Sequence, residues 1–174
     1  MNNIRIITDS SCDLNKDIIE KYNIKVVPLN VSFGDEIYMD SELDNKEFYE
    51  KMKNSKELPK TSCPSPERFI NSYEGDEDVI VLTISSKLSG TYSAALLAKN
   101  MMLEENPNKK IEIIDTKTGS ILHGQLIVKA AKLVEEGKSF EEIVKTIEEI
   151  REDKEFFGSL ETLENAIKGG RINA

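Results

Sequence analysis

Three short apolar runs constrain the fold of this chain more than any other feature: "NIRIIT" from Asn3 to Thr8, "VIVLTI" from Val79 to Ile84, and "IEIID" from Ile111 to Asp115. Each is rich in β-branched residues and is followed by a polar turn, so each reads as a strand. Stretches with helical spacing lie between them. Strands alternating with helices through short loops point to an α/β fold, an open, mainly parallel sheet with helices on both faces. In such sheets ligands bind beyond the carboxyl ends of the strands.

The remaining segments fill in this pattern. After the first strand, Asp13 or Ser11 is expected to cap a helix running to Tyr22. "IKVVPLNVSF" (Ile24 to Phe33) is strand-like, and "GDE" turns it into "IYMD" as a hairpin, with Pro28 marking an edge or bulge. Asn45 to Asn54 places Phe48, Tyr49 and Met52 on one helical face. The three prolines of "SKELPKTSCPSPE" predict a loop without regular structure, ending where Ser65 and Pro66 start the helix "PERFINSYE". Further helices are expected from Tyr92 to Leu103, from Ser120 to Glu136 with Gly137 as the stop, and from Ser139, whose Glu142 gives capping-box spacing.

The last stretch, "KEFFGSLETLENAIKGGRINA", reads as a strand and a short helix carrying Leu160, Leu163 and Ile167 on one face, with Gly169 or Gly170 at its end. That apolar face needs a surface to pack on. The expectation is therefore a lobe spanning 1–152 and, over 153–174, the beginning of an incomplete second lobe of a longer protein.

Composition narrows the function classes. A chain of 174 residues with 39% hydrophobic and 32% charged residues can bury one substantial core. A net charge of -9 without a Lys/Arg cluster argues against nucleic acid. The apolar runs fall short of the roughly 20 residues that span a membrane. Asp9 interrupts any signal-like core, so a cytoplasmic protein is expected. Cys12 and Cys63 have neither disulfide-framework nor zinc spacing, and His123 has no second ligand nearby, so no metal site is expected.

Four hydroxyl-rich loops flank the strands: Thr8 to Ser11, Thr61 to Ser65, Ser85 to Thr91 and Asp115 to Ser120. Ser, Thr, Asp and Gly are ordinary turn and cap residues, so each loop alone signals little. A parallel sheet would bring the first, third and fourth to one edge, with the second folding over them. The strand-to-helix turn "SSKLSGTYSAA" would also aim free backbone N–H groups at an anion. Neither GxxxxGK[ST] nor GxGxxG occurs, and Lys87 and Lys117 are the loops' only cations, so a single carboxylate fits better than a nucleotide. Serine hydrolase chemistry lacks both GxSxG and a base for the nucleophile.

The ordered series "IRIITDSSCDL", "VVPLNV", "PKTSCPSPERF", "SSKLSGTYSAA", "EIIDTKTGS" and "LETLENAIKGGRI" resembles the DegV family of bacterial fatty-acid-binding proteins, which includes the binding subunit of fatty acid kinase. The resemblance runs from residue 4 to residue 172 and implies a long-chain fatty acid lying between two α/β lobes. Its carboxylate would be held by Thr61, Ser62, Ser89, Gly90 and Thr91, with Asp9, Ser10, Ser11, Asp115, Thr116 and Arg171 as secondary candidates. Cys63 and Ser93 stand where the family more often has glutamine. The family's second lobe supplies further headgroup contacts, including a histidine that His123 does not replace.

Carriage without catalysis is the function this implies. The bound acid would be presented to a fatty acid kinase catalytic subunit, to which ATP and Mg²⁺ would belong, and the acyl phosphate would enter phospholipid synthesis. No cofactor, nucleic acid or membrane span is expected, though transient contact with a membrane surface is compatible. Two alternatives stay open: a serine/threonine-dependent hydrolase or transferase using Ser89 or Thr61, and a sensor for another lipid or carboxylate.

Overall fold

A computed structural model describes residues 3–55, 57–159 and 162–172. The strands β1 (Ile4–Asp9), β2 (Lys25–Val27), β6 (Asp78–Thr83) and β7 (Ile111–Asp115) form a parallel sheet in the order β2-β1-β6-β7. A second, antiparallel sheet has the order β4-β3-β5, from β3 (Asn30–Phe33), β4 (Glu36–Met39) and β5 (Lys60–Ser62).

The alternation of side chains along the central strands divides the interior into two cores. Ile6, Ile80, Leu82 and Ile114 face α1 (Lys16–Lys21), α5 (Ser120–Glu135) and α6 (Phe140–Glu152). Ile7, Val79, Val81, Ile111 and Ile113 face α3 (Pro66–Tyr73) and α4 (Thr91–Glu105). Because both faces are covered, the strands need no polar alternation, which is why they read as continuous apolar runs.

Glycine decides one close approach. A Cβ at Gly124 would lie 2.5 Å from the Cys12 carbonyl oxygen, so only glycine lets α5 pack against the 3-10 turn Ser10–Cys12. The end of α5 behaves as expected, with Gly137 at φ +76. Ser139 and Glu142 form the anticipated capping box on α6, and α2 occupies Asn45–Asn54 as expected.

Four local expectations require correction. The cap of α1 is Asn15, which accepts from Ile18 N–H, because Ser11 and Asp13 are engaged in the 3-10 turn and its left-handed exit. The segment expected to be irregular contains β5, which pairs with β3 despite its flanking prolines. Pro28 ends one sheet and precedes the other, so "IKVVPLNVSF" is two strands and not one. No strand forms over 154–159, whose backbone pairs with neither sheet. Phe157 there is 84% exposed, so this segment adds nothing to the core. The short helix α7 (Glu164–Lys168) is present, with Gly170 at φ +71 after it, while Leu160 lies outside the described residues.

Candidate functional site

The strand order creates a crevice. From β1 the chain leaves through α1 on one face of the sheet, and from β6 it leaves through α4 on the other. The loops after β1 and β6 therefore diverge at neighbouring strand ends, which is where open α/β sheets receive ligands.

The floor of this crevice is a buried polar network. Asp9, fully buried at the end of β1, accepts from Ser11 N–H at 3.1 Å and from the Ser11 hydroxyl through Oδ1, and from Ile84 N–H at 2.8 Å through Oδ2. One carboxylate thus ties the β1 loop to the β6 loop. Asp115 does the same between the β6 and β7 loops, accepting from Ser86 N–H at 3.1 Å, Ser86 Oγ at 2.5 Å and Lys117 N–H at 2.9 Å.

Under them lies His123 on α5, with no exposed surface. Thr116 donates its hydroxyl to Thr83 O at 2.7 Å, so at its 3.1 Å contact with His123 Nδ1 it accepts. Nε2 is then the acceptor in the neutral ring, 3.0 Å from the Thr8 hydroxyl, whose one proton is also within reach of the Asp9 carbonyl oxygen, 3.3 Å from Oγ1. Burial pushes the imidazole below its usual range, while Asp9, 3.8 Å from Nε2, and Asp13 oppose that shift. Sequence reasoning gave His123 no partner because its two partners lie 115 and 7 residues away and meet it only in the folded sheet.

The rim is different. Ser89 Oγ lies 2.9 Å from Thr91 Oγ1 and accepts from Thr91 N–H at 3.4 Å. Thr91 is buried as the first residue of α4, whereas Ser89 is half-buried and Gly90 exposed. Gly90 occupies the cap position and brings no side chain, so among the described residues the side-chain acceptor at the start of α4 is Ser89 Oγ, on Thr91 N–H. Beyond Thr91 N–H, the first turn keeps the positive N–H character that attracts anions.

The Thr61–Ser62 strand approaches from the antiparallel sheet. A Cβ built on Gly90 would sit 3.5 Å from Cys63 Sγ, so the two loops meet at that point. Thr61 and Ser62 are exposed, and the Thr61 hydroxyl has no hydrogen bond among the described residues. Ser62 Oγ accepts from Asn30 Nδ2 at 3.2 Å, which leaves its own proton free.

The expected residues therefore separate into groups. Ser89, Gly90 and Thr91 share one loop, which meets Cys63, the residue after the Thr61–Ser62 strand, at Gly90. Asp9, Ser11, Asp115 and Thr116 tie the loops to one another and to the strands. Ser10 accepts Leu29 N–H at 2.9 Å and donates to Asp40 Oδ2, fastening the antiparallel sheet to the parallel one. Burial raises the Asp40 carboxyl, against the Ser10 hydrogen bond and the charge of Arg68. Arg171 is exposed beyond α7 and donates to Gly169 O at 2.6 Å. Among the described residues no group of His, Cys, Asp and Glu side chains is arranged to hold a metal, and no helix is long and apolar enough to cross a membrane.

This arrangement matches known proteins over most of its length. The chain is 37% identical to a DegV domain-containing protein of Clostridium perfringens, over 97% of this chain and 61% of that one. It thus spans about three fifths of that relative. A DegV family protein of Ruminococcus gnavus, refined with vaccenic acid, superposes with a TM-score of 0.90 at 30% identity, covering 99% of this chain and 63% of that one. The fatty acid kinase B3 protein of Streptococcus pneumoniae, loaded with linoleic acid, gives 0.77 at 33% identity, covering 87% and 55%. The family model for the uncharacterised proteins of the DegV family matches residues 3–174, and the chain belongs to that family.

Proposed function

We propose that this chain carries the headgroup side of a long-chain fatty-acid site and, in the whole protein, presents the acid to an ATP-dependent kinase subunit. The observation that carries this is the approach of the Ser89–Thr91 loop, at the start of α4, to Cys63 directly after the Thr61–Ser62 strand. Hydroxyl donors from these two arms suit the two oxygens of one carboxylate, and the loops lack the dense positive charge that a polyphosphate recruits. Leu88, in the loop before α4, and Ile121, in the first turn of α5, leave apolar side chains exposed, a surface suited to an acyl chain. Related proteins hold vaccenic and linoleic acids, and one of them is a fatty acid kinase protein.

A tail of about sixteen carbons gains roughly 0.8 kcal/mol per buried CH₂ before costs, so most of the affinity lies in the tail and the arms set its register. Residues 153–174 are read as the start of the second lobe that would close over it. Carriage fits this site better than hydrolysis. A nucleophilic Ser89 or Thr61 would need a base, and both ring nitrogens of His123 are engaged below the floor.

The test is solvent extraction and mass spectrometry of the full-length protein, followed by incubation with a fatty acid kinase catalytic subunit. Stoichiometric fatty acid, converted to acyl phosphate only with the kinase, ATP and Mg²⁺, is expected. Ester hydrolysis by the protein alone would replace this reading with an enzyme. A different stoichiometric lipid or carboxylate would replace it with a sensor.

A further inference from the structure

Arg68 stands out in a chain of net charge -9. Arg5 pairs with Glu77, and Arg151 pairs with Glu148 and Glu152, whereas Arg68 makes no ion pair among the described residues. Its charge reaches Asp40, but its guanidinium is aimed elsewhere. From α3, Nη1 donates to Asn30 Oδ1 at 2.8 Å and to Pro28 O at 3.2 Å. Arginine has no acceptor, so it can face only the oxygen of the Asn30 amide, and this turns Nδ2 toward β5. There Nδ2 donates to Ser62 Oγ at 3.2 Å and to Cys63 O at 3.4 Å.

From this chain of contacts we infer that Arg68, acting through Asn30, is a positioning residue that makes Ser62 an outward-facing donor for an anionic headgroup. The inference rests on the carboxylate reading given above. The Asn30 amide occupies the acceptor side of Ser62, so the hydroxyl proton is directed away from β3. A cation at the far end polarises each bond in the series in the direction that favours an anion at Ser62. The same amide holds Cys63, whose sulfur faces Gly90, so the relay also fixes the spacing of the two arms. Arg68 in this way supplies positive charge to the rim without touching the ligand.

The test compares dissociation constants for palmitate and for 1-hexadecanol, which share a tail and differ in headgroup charge, on the full-length protein. Arg68→Met is expected to weaken palmitate about tenfold, the scale of one charge-assisted hydrogen bond, and to leave 1-hexadecanol little changed. Arg68→Lys restores part of the loss. Asn30→Asp is close to isosteric and keeps an Arg68 partner, so it reports even if Arg68→Met fails to fold. Its carboxylate takes the Ser62 proton inward and lowers the acid-over-alcohol preference. Equal losses for both ligands in the folded variants, or none, would overturn the relay. If the unaltered protein shows no preference for palmitate, the carboxylate reading fails first and the relay with it.

Discussion

The floor and the rim of the crevice are built from the same residue types and put them to opposite use. On the floor, the "TDSS" and "DTKT" loops turn Asp9, Thr8, Thr116 and Asp115 toward one another, toward backbone N–H groups and toward a buried histidine. On the rim, the "TSCPS" and "SKLSGT" loops leave Thr61 and Ser62 exposed and Ser89 half-exposed, with hydroxyl capacity unused by the fold. A buried polar group without a partner is costly, and the floor pairs Thr8, Asp9, Thr116 and His123 internally while leaving the buried Thr118 hydroxyl without a partner among the described residues. An exposed hydroxyl is satisfied by water and can exchange that water for a ligand. Burial therefore separates Thr8, Asp9, Thr116 and His123 from the exposed Thr61 and Ser62 where composition does not, with the half-buried Asp115 and the buried Thr91 lying between the two groups.

If this division is right, the largest effect belongs to the floor. Asp9→Ala leaves Ile84 N–H and both Ser11 donors without their buried acceptor, and is expected to cost about 3 kcal/mol of stability in chemical denaturation. A near-neutral result would place Asp9 with the rim. The rim should respond the other way. Thr61→Ala combined with Ser89→Ala is expected to keep the melting temperature close to the parent's and to weaken fatty-acid binding by about 2 kcal/mol, about thirtyfold in Kd. Lost stability with retained binding would reverse the two assignments.

What could be read before folding follows from how local each signal is. The helix Asn45–Asn54, the strand Ile111–Asp115 and the Ser139–Glu142 capping box depend on near neighbours, and they were legible. Strand β5 was not, because "KTS" becomes a strand only through its pairing with β3 across 28 to 32 residues. Asp13 looked like a helix cap, but it is the left-handed exit of the 3-10 turn and accepts from Ser120 Oγ at 2.5 Å instead. Of the candidate site, the hydroxyl-rich turns at the strand ends were legible as turns, and the proposed carboxylate ligand comes from their composition and the resemblance. The division into floor and rim was not, since it depends on His123 and Asn30 finding partners far along the chain.

His123 sharpens the comparison through pH. Burial lowers its pKa in the fold, so between the folded value and about 6.5 the unfolded chain binds more protons than the native one. Stability contributed by the neutral ring is therefore fully present above about pH 6.5 and declines as the pH falls below it, by at most about 1.4 kcal/mol per pH unit. Unfolding free energies from pH 7.5 to 5.5 should show this decline in the parent and a shallower one in His123→Gln. Identical profiles would mean that the floor network does not depend on a neutral ring.

The smallest effect is expected at Lys87, the cation of the "SSKLSGT" loop. It is exposed and makes no ion pair among the described residues, so water and salt surround its charge. At 0.15 M ionic strength fields from exposed charges fade over about 8 Å, and Lys87→Ala should change fatty-acid affinity by less than about twofold. The difference should widen as salt is lowered, because screening alone keeps it small. A loss equal to that of the Thr61→Ala, Ser89→Ala pair at physiological salt would mean that the rim binds its anion by charge. The hydroxyls would then be positioning that charge, and the contrast between floor and rim would no longer be one of free against engaged donors.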